Sequence, residues 1–358
     1  MTLNESQPQD QQFEQLRSMA ESEFDVEEDF IQFNIPTFHV KLRADSKQAF
    51  LRLFKRLDPM GLIPTLRKRE DKNALQIVSK PPVKPSRKRI NLALFLATVA
   101  TTFVTGYVLS IGWEGEGIPD PLVGAVMFAV AIMAIFGAHE MAHKLTARKH
   151  AIEASYPYFI PGPPAPFGIG TFGAVIQQKS LAPNKDTLFD LGISGPIIGF
   201  LVTVLVAVIG VQMSYHTVVP EIPPGTTQMS LLLEFLFVVL QRPPSNPSGH
   251  VILWMHPVAV AGWVGMLVTM LNLTPAGMLD GGHAARGLLG QTSRSVLAFA
   301  AILVLLLLGY WPMAIIAFFL SLQTHPGPLD DVSKLSLSRK LATIALVLIY
   351  VLCAAPIF

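Results

Sequence analysis

The feature that most constrains this chain is a series of long apolar runs. Residues 90–113 contain no charged side chain, and a helix of about 20 apolar residues already spans the hydrocarbon core of a bilayer. Further apolar runs lie at residues 121–145, 188–213, 257–279, 295–309, 311–323 and 340–357. Charged residues make up 15% of the chain, against about 25% in soluble domains. The pattern predicts a polytopic α-helical membrane protein with about six to eight transmembrane helices.

The charged residues are concentrated in the first 90 residues, which predicts a small N-terminal α+β soluble domain. Residues 1–28 are acidic and poor in aromatic side chains, so we expect a disordered tail there. Residues 29–80 combine alternating apolar positions with one amphipathic stretch, which predicts a β-α-β-β unit. Residues 81–89 form a basic linker that contains proline and leads to a transmembrane domain at residues 90–358.

Lys and Arg residues predict the orientation of the spans. The basic loops before the first span, after the second, before the third, after the fourth and before the last all fall on one side. Because cytoplasmic loops carry such an excess, we place this side and the N-terminus in the cytoplasm. The first 30 residues fit neither a secretory signal nor a transit peptide, which favours a prokaryotic plasma membrane. Residues 231–240 are too short to cross alone and either lie at the interface or pair with residues 251–254.

Charge and cysteine content exclude several classes of site. The net charge is +2, and no basic face is interleaved with aromatic residues, so nothing indicates nucleic-acid binding. Cys353 is the only cysteine, which excludes an intrachain disulfide and a zinc site built from cysteines. Any metal would be held by His and carboxylate side chains. Nothing in the sequence indicates an oligomeric state.

One motif with such side chains closes the second apolar run. His139 and His143 are four residues apart, so on a helix both imidazoles project from one face and can bind one Zn²⁺. Glu140 lies beside them, where it can accept a proton from zinc-bound water. The alternative is that both histidines are merely solvated in the headgroup region. Ionisable side chains in a transmembrane segment are functional by default, which favours the metal site.

A tetrahedral catalytic zinc site needs a third protein ligand, which must come from another helix. Asp280 closes the apolar residues 264–279, and Pro275 and Gly277 would break a helix there. Freed backbone groups at membrane depth are tolerated where they line protein or a wet cavity, so a broken helix is compatible with a carboxylate beside a metal. The alternative is an interfacial Asp280 that caps a following helix at residues 281–289.

These motifs together resemble the site-2 protease family of intramembrane zinc metalloproteases. The family pairs HExxH in one transmembrane helix with Asn-x-x-Pro-x-x-x-Leu-Asp-Gly in a later one, which here begins at Asn272. The resemblance covers about residues 90–290 as the core of the transmembrane domain. Residues 325–331 resemble the branch with archaeal, cyanobacterial and chloroplast members, and no stretch resembles a PDZ domain. Other matching stretches lie at residues 170–176 and 192–199 and at His256-Pro257.

The resemblance implies regulated intramembrane proteolysis, in which a transmembrane protein substrate is hydrolysed inside the bilayer. It implies one Zn²⁺ per chain, held by His139, His143 and Asp280. Glu140 would be the general base and acid. Asn272 would hold the scissile carbonyl or its oxyanion, and its alternative role is to cap or bridge the broken helix.

Two further patterns bear on how such a site would be built. The glycine-rich residues 167–177 predict a short hairpin whose strand edge could pair with an extended substrate, the alternative being a surface loop. Gly192, Gly195 and Gly199 in the third span predict close helix packing.

Other functions would use the same residues. One is a non-catalytic membrane metal carrier or scaffold, whose metal transport would survive the loss of Glu140. Another is a different class of membrane HExxH protease with a Glu as third ligand, which is disfavoured because the spans contain no suitable Glu.

Overall fold

The structure, a computed structural model, describes residues 9–82, 85–111, 113, 120–223, 226, 228–244, 247–323 and 325–354. The chain is mostly helical, and a small α+β domain precedes the helices, as predicted. This N-terminal domain contains α1 (Gln9–Glu21), β1 (Asp25–Gln32), β2 (Ile35–Lys41), α2 (Ser46–Leu57), β3 (Leu62–Arg69) and β4 (Lys72–Ser79). Its antiparallel sheet has the strand order β1-β2-β4-β3. The amphipathic helix α2 covers the sheet and buries Phe50 and Leu53 against Phe38 and Leu75.

The predicted disorder over residues 1–28 is wrong for residues 9–28, which form α1 and the first half of β1; residues 1–8 lie outside the described residues. Few apolar side chains occur there, but Leu16, Ala20 and Phe24 are spaced four residues apart and all enter the domain core. Their burial on an existing sheet offsets the entropy of ordering the acidic segment.

The helices from residue 88 onward form what we call the membrane body. They are α3 (Lys88–Ile111), α4 (Pro121–Lys149), α5 (Lys185–Met213), α6 (Leu231–Gln241), α7 (Pro257–Leu273), α8 (Asp280–Leu289), α9 (Gln291–Leu307), α10 (Trp311–Ser321) and α11 (Leu337–Cys353). Among the described residues, α3, α4 and α5 are long and apolar enough to cross a membrane, and α6, α7, α9 and α10 are shorter apolar helices. The number of six to eight spans stays a prediction.

Small residues allow the helices at the centre of the membrane body to touch. A Cβ on Gly210 of α5 would overlap the backbone of Ala259 in α7, and one on Gly262 would lie 2.8 Å from the Cα of Ala207. Helices packed without a large hydrophobic driving force depend on such close approach. This packing fixes α5 and α7 relative to each other, and α4 packs against both.

Among the described residues of the membrane body, two antiparallel strand pairs accompany the helices. β5 (Tyr158–Pro161) pairs with β6 (Thr171–Val175), and β7 (Tyr215–Val219) pairs with β8 (His250–Trp254). The hairpin predicted within residues 167–177 therefore has its first strand earlier, because the proline-rich stretch before β6 forms the connecting loop. Residues 251–254 pair with β7 and not with residues 231–240, which form α6.

A segment near the C-terminus joins the N-terminal domain to the membrane body. Residues 325–336, which we call the strap, run between β3 and residues 182–184. The backbone N–H of Leu66 donates to the carbonyl of Leu329 (2.9 Å), while the N–H of Leu329 donates to the carbonyl of Ala182 (2.8 Å). Leu329 is also buried in the core of the N-terminal domain.

Ion pairs hold the same junction together. Arg286 of α8 donates two hydrogen bonds to Asp331 in the strap, at 2.9 and 2.6 Å. Lys47 of α2 lies 3.0 Å from Asp186 at the start of α5. The strap is thus tied both to the domain and to the helices around it.

We expect Leu329→Ala to destabilise the N-terminal domain by about 2 to 5 kcal/mol, because truncating a buried Leu leaves a cavity. Hydrogen exchange of the β3 and β4 amides, measured by mass spectrometry, would record the loss. Leu42→Ala is the control, since Leu42 is exposed and its truncation should change protection little. Equal protection in wild type and Leu329→Ala would contradict the account.

Candidate active site

Helix α4 carries the predicted HExxH residues on one buried face. His139, Glu140 and His143 lie in its C-terminal half, and each is less than 10% exposed. The spacing of four residues places the two imidazole rings beside each other, with centroids 4.8 Å apart. Potential ligand atoms of all three side chains lie within 4.8 Å of one another.

The chain breaks between α7 and α8, as Pro275 and Gly277 predict. Helix α7 ends at Leu273 because the residue before a proline is pushed out of the helical region, and Thr274 is extended (ψ 128°). Gly277 then adopts a positive φ of 52°, which favours glycine, and α8 begins at Asp280. The break turns the chain so that the Asp280 carboxylate reaches the α4 histidines.

Three ligand atoms from the two helices form a nearly equilateral triangle. Asp280 Oδ2 lies 3.1 Å from His139 Nε2 and 3.2 Å from His143 Nε2, and the two nitrogens are 3.1 Å apart. A tetrahedral zinc ion with bonds of about 2.0 to 2.1 Å separates its ligand atoms by about 3.3 Å. The donor set and spacing fit such an ion, with Asp280 as the candidate third ligand.

A backbone contact sets the tautomer of one imidazole. Nδ1 of His143 lies 2.8 Å from the carbonyl oxygen of Leu191, and a carbonyl only accepts, so Nδ1 carries the proton. Nε2 is then left with its lone pair directed at the triangle. The hydrogen bond from Nδ1 to the Leu191 carbonyl also fixes the orientation of the ring. Metal-bound histidines are oriented in the same way, by a hydrogen bond from the ring nitrogen that does not bind the metal.

Glycines on α5 make room for all three candidate ligands. A Cβ on Gly195 would overlap the imidazole of His143, and one on Gly199 would lie 2.9 Å from Nδ1 of His139. A Cβ on Gly192 would lie 2.7 Å from the carbonyl oxygen of Asp280. The predicted close packing is therefore packing against the candidate ligands themselves.

The remaining two predicted residues border the triangle. Glu140 Oε1 lies 3.9 Å from His139 Nε2, and the Glu140 carboxyl group faces the backbone of Ile176. Asn272, in the last turn of α7, places its Nδ2 3.5 Å from His139 Nε2. The structure thus brings all five predicted residues together.

These residues open into a cavity of about 640 Å³ that the N-terminal domain helps to enclose. Phe54, Asp58 and Ile63 of that domain line it, together with the end of β6. His283 and His325 also line it, and the sequence reasoning missed both. His283 follows Asp280 by three residues, a helical spacing that would have placed both on one side of α8.

Comparison with known proteins supports a zinc metalloprotease. The model of peptidase family M50 matches residues 127–315, just over half of the chain. The chain is 30% identical over 246 residues to the probable zinc metalloprotease EGY1, chloroplastic, of Oryza sativa subsp. japonica, which covers 65% of this chain and 41% of that protein. It is 31% identical over 250 residues to the Arabidopsis thaliana protein of that name, covering 66% and 44%.

The chain spans about two fifths of the length of these curated relatives. Both are chloroplastic by name, which conflicts weakly with the expectation of a prokaryotic plasma membrane. No solved structure matches the chain.

We expect Gly195→Ala to weaken metal binding by about 10- to 100-fold or more, because the added methyl group displaces the His143 ring. Metal content per chain, measured by mass spectrometry after dialysis against a weak chelator, checks this. Gly137→Ala on α4 is the matched control, since its Cβ would meet no atom closer than 3.9 Å. Full metal content in Gly195→Ala would contradict the packing described.

Proposed function

The chain belongs to peptidase family M50, and from this premise we propose that it is a zinc metalloendopeptidase that hydrolyses peptide bonds of transmembrane protein substrates inside a bilayer. The observation that carries the proposal is the triangle of His139, His143 and Asp280 with Glu140 at its side. Two imidazoles and a carboxylate leave a tetrahedral zinc ion one open position, which distinguishes catalytic from structural sites.

The position of each residue in the site supports a specific role in catalysis. Bound zinc would polarise the scissile carbonyl and make its bound water acidic. Glu140 takes the proton of the attacking water and later delivers it to the leaving amine. A residue that acts first as general base and then as general acid must lie within reach of the water and of the amine. Asn272 directs an amide N–H at the oxygen on which negative charge develops.

The substrate is bound in extended form beside β6. A helical peptide bond is shielded by its own hydrogen bonds, so the segment to be cut must first unwind. Strand β5 occupies one edge of β6, and the residues that follow β6, Ile176 to Gln178, line the cavity. The proximity of the Ile176 backbone to the Glu140 carboxyl group supports substrate binding along this edge, beside the proposed general base.

The three long apolar helices associate the chain with a membrane. We propose six to eight spans, with the N-terminus on the side of the basic loops, corresponding to the cytoplasm. The site then lies towards that leaflet, because α4 ends at Lys149, only six positions after His143. The N-terminal domain closes the cavity from the same side.

Glu140→Gln should reduce cleavage of a transmembrane test substrate by about 10² to 10⁴-fold, because an amide cannot accept the proton. The assay uses the purified full chain with the substrate in detergent or liposomes, with zinc content measured in parallel and expected to be unchanged. Glu234→Gln on α6 is the matched control, since Glu234 is exposed and outside the cavity.

Equal cleavage by wild type and Glu140→Gln would refute the proposal. Metal flux into vesicles that survives Glu140→Gln would favour a metal carrier instead.

A further inference from the structure

Two histidines outside the ligand triangle are joined at the wall of the cavity. His283 lies on α8, one turn after Asp280, and His325 begins the strap. Nδ1 of His283 is 2.7 Å from Nε2 of His325, and the rings meet edge to face with centroids 4.8 Å apart. The two histidines are 42 positions apart in the sequence, so this is a tertiary contact, and it connects the strap to the helix carrying Asp280.

The hydrogen bonds determine which nitrogen of each ring carries the proton. The backbone N–H of Gly327 donates to Nδ1 of His325 at 2.9 Å, so that nitrogen has a lone pair. Burial is the largest cause that lowers the pKa of His325, and the nearby His283 and two arginines lower it in the same direction, to about 3. The ring of His325 is therefore neutral. Its proton therefore lies on Nε2 and is donated to Nδ1 of His283.

The proton of a neutral His283 must then lie on its Nε2. Within the described part of the chain, no hydrogen-bond acceptor is found for this N–H. His283 is only partly buried and lines the cavity, so the donor is available to a molecule inside it. A fixed neutral donor beside a protease site is suited to a peptide carbonyl.

A substrate strand needs such a donor. When an extended substrate segment pairs with one edge of β6, every second pair of its backbone N–H and C=O groups points away from β6. Inside the cavity these groups lose their hydrogen bonds to water. A buried carbonyl without a donor costs free energy, so a second wall that supplies an N–H would hold the substrate in register.

We propose that His283 donates a hydrogen bond from Nε2 to a main-chain carbonyl of the substrate, and that His325 is the positioning residue that fixes the tautomer of His283. This inference rests on the proposed protease function and adds a substrate-binding residue to it. Because the strap is paired with β3 through Leu329, docking of the N-terminal domain sets the position of His325.

A pair of amide substitutions separates this role from a structural one. In His325→Gln the side-chain N–H₂ reaches the place of Nε2 and still donates to His283, whereas in His325→Asn the oxygen replaces Nδ1 as acceptor for Gly327 but no donor reaches His283. We expect KM near wild type for His325→Gln and about tenfold higher for His325→Asn, with kcat changed much less. A purely structural role in the turn at Gly327 predicts the opposite order.

A substitution of His283 tests the donor itself. In His283→Asn the oxygen can still accept from His325, but no donor reaches the cavity, so KM should also rise about tenfold. The double variant with His325→Asn should add little, because both changes remove the same hydrogen bond. Zinc content should stay at the wild-type level in all variants.

Nitrogen-15 NMR of labelled wild-type protein gives a readout that needs neither a variant nor a substrate. We expect both rings to be neutral and protonated on Nε2. A His283 protonated on Nδ1, or equal KM values for His325→Gln and His325→Asn in a chain that cleaves, would overturn the inference. Loss of the difference between wild type and Glu140→Gln would instead overturn the protease function itself.

Discussion

The meeting of two imidazoles with one carboxylate inside an apolar helix bundle is the contact on which the rest of the structure depends. His139 and His143 need only one helix, but Asp280 must arrive from another, with its oxygen 3.1 to 3.2 Å from both nitrogens. Such groups are expensive to bury without partners or a metal. The break after α7 and the glycine face of α5 both serve this contact, because one delivers the carboxylate and the other leaves room for the rings.

The N-terminal domain also contributes to the cavity beside these residues. Its core contains Leu329 from the strap, its residues line the cavity, and Asp331 in the strap is held by Arg286, which lies on the helix that begins with Asp280. A displacement of the domain would therefore move the wall of the cavity and the strap together. Coupling of this kind needs a contiguous set of contacts, and the strap supplies one.

Local patterns predicted the site better than they predicted the tertiary contacts. The HExxH spacing predicted that His139 and His143 lie side by side, and Pro275 and Gly277 predicted the break before Asp280, because each of these signals lies within a few residues. The sequence did not predict that α1 and β1 are ordered, because their folding depends on burial against strands that come later in the chain. The pairing of the strap with β3 and the contact between His283 and His325 join residues that are far apart in the sequence. Neither contact produces a repeating pattern of residues, so neither can be predicted from the sequence.

The zinc ligands themselves are tested most directly by X-ray absorption at the zinc edge, applied to Asp280→Cys in a Cys353→Ser background. That background contains no other sulfur from cysteine, since Cys353 is the only cysteine. If Asp280 is the third ligand, one oxygen is replaced by a sulfur at about 2.3 Å, while two imidazole nitrogens stay at about 2.0 to 2.1 Å. A zinc spectrum unchanged by the substitution would show that Asp280 does not bind the metal and would contradict the two-helix site.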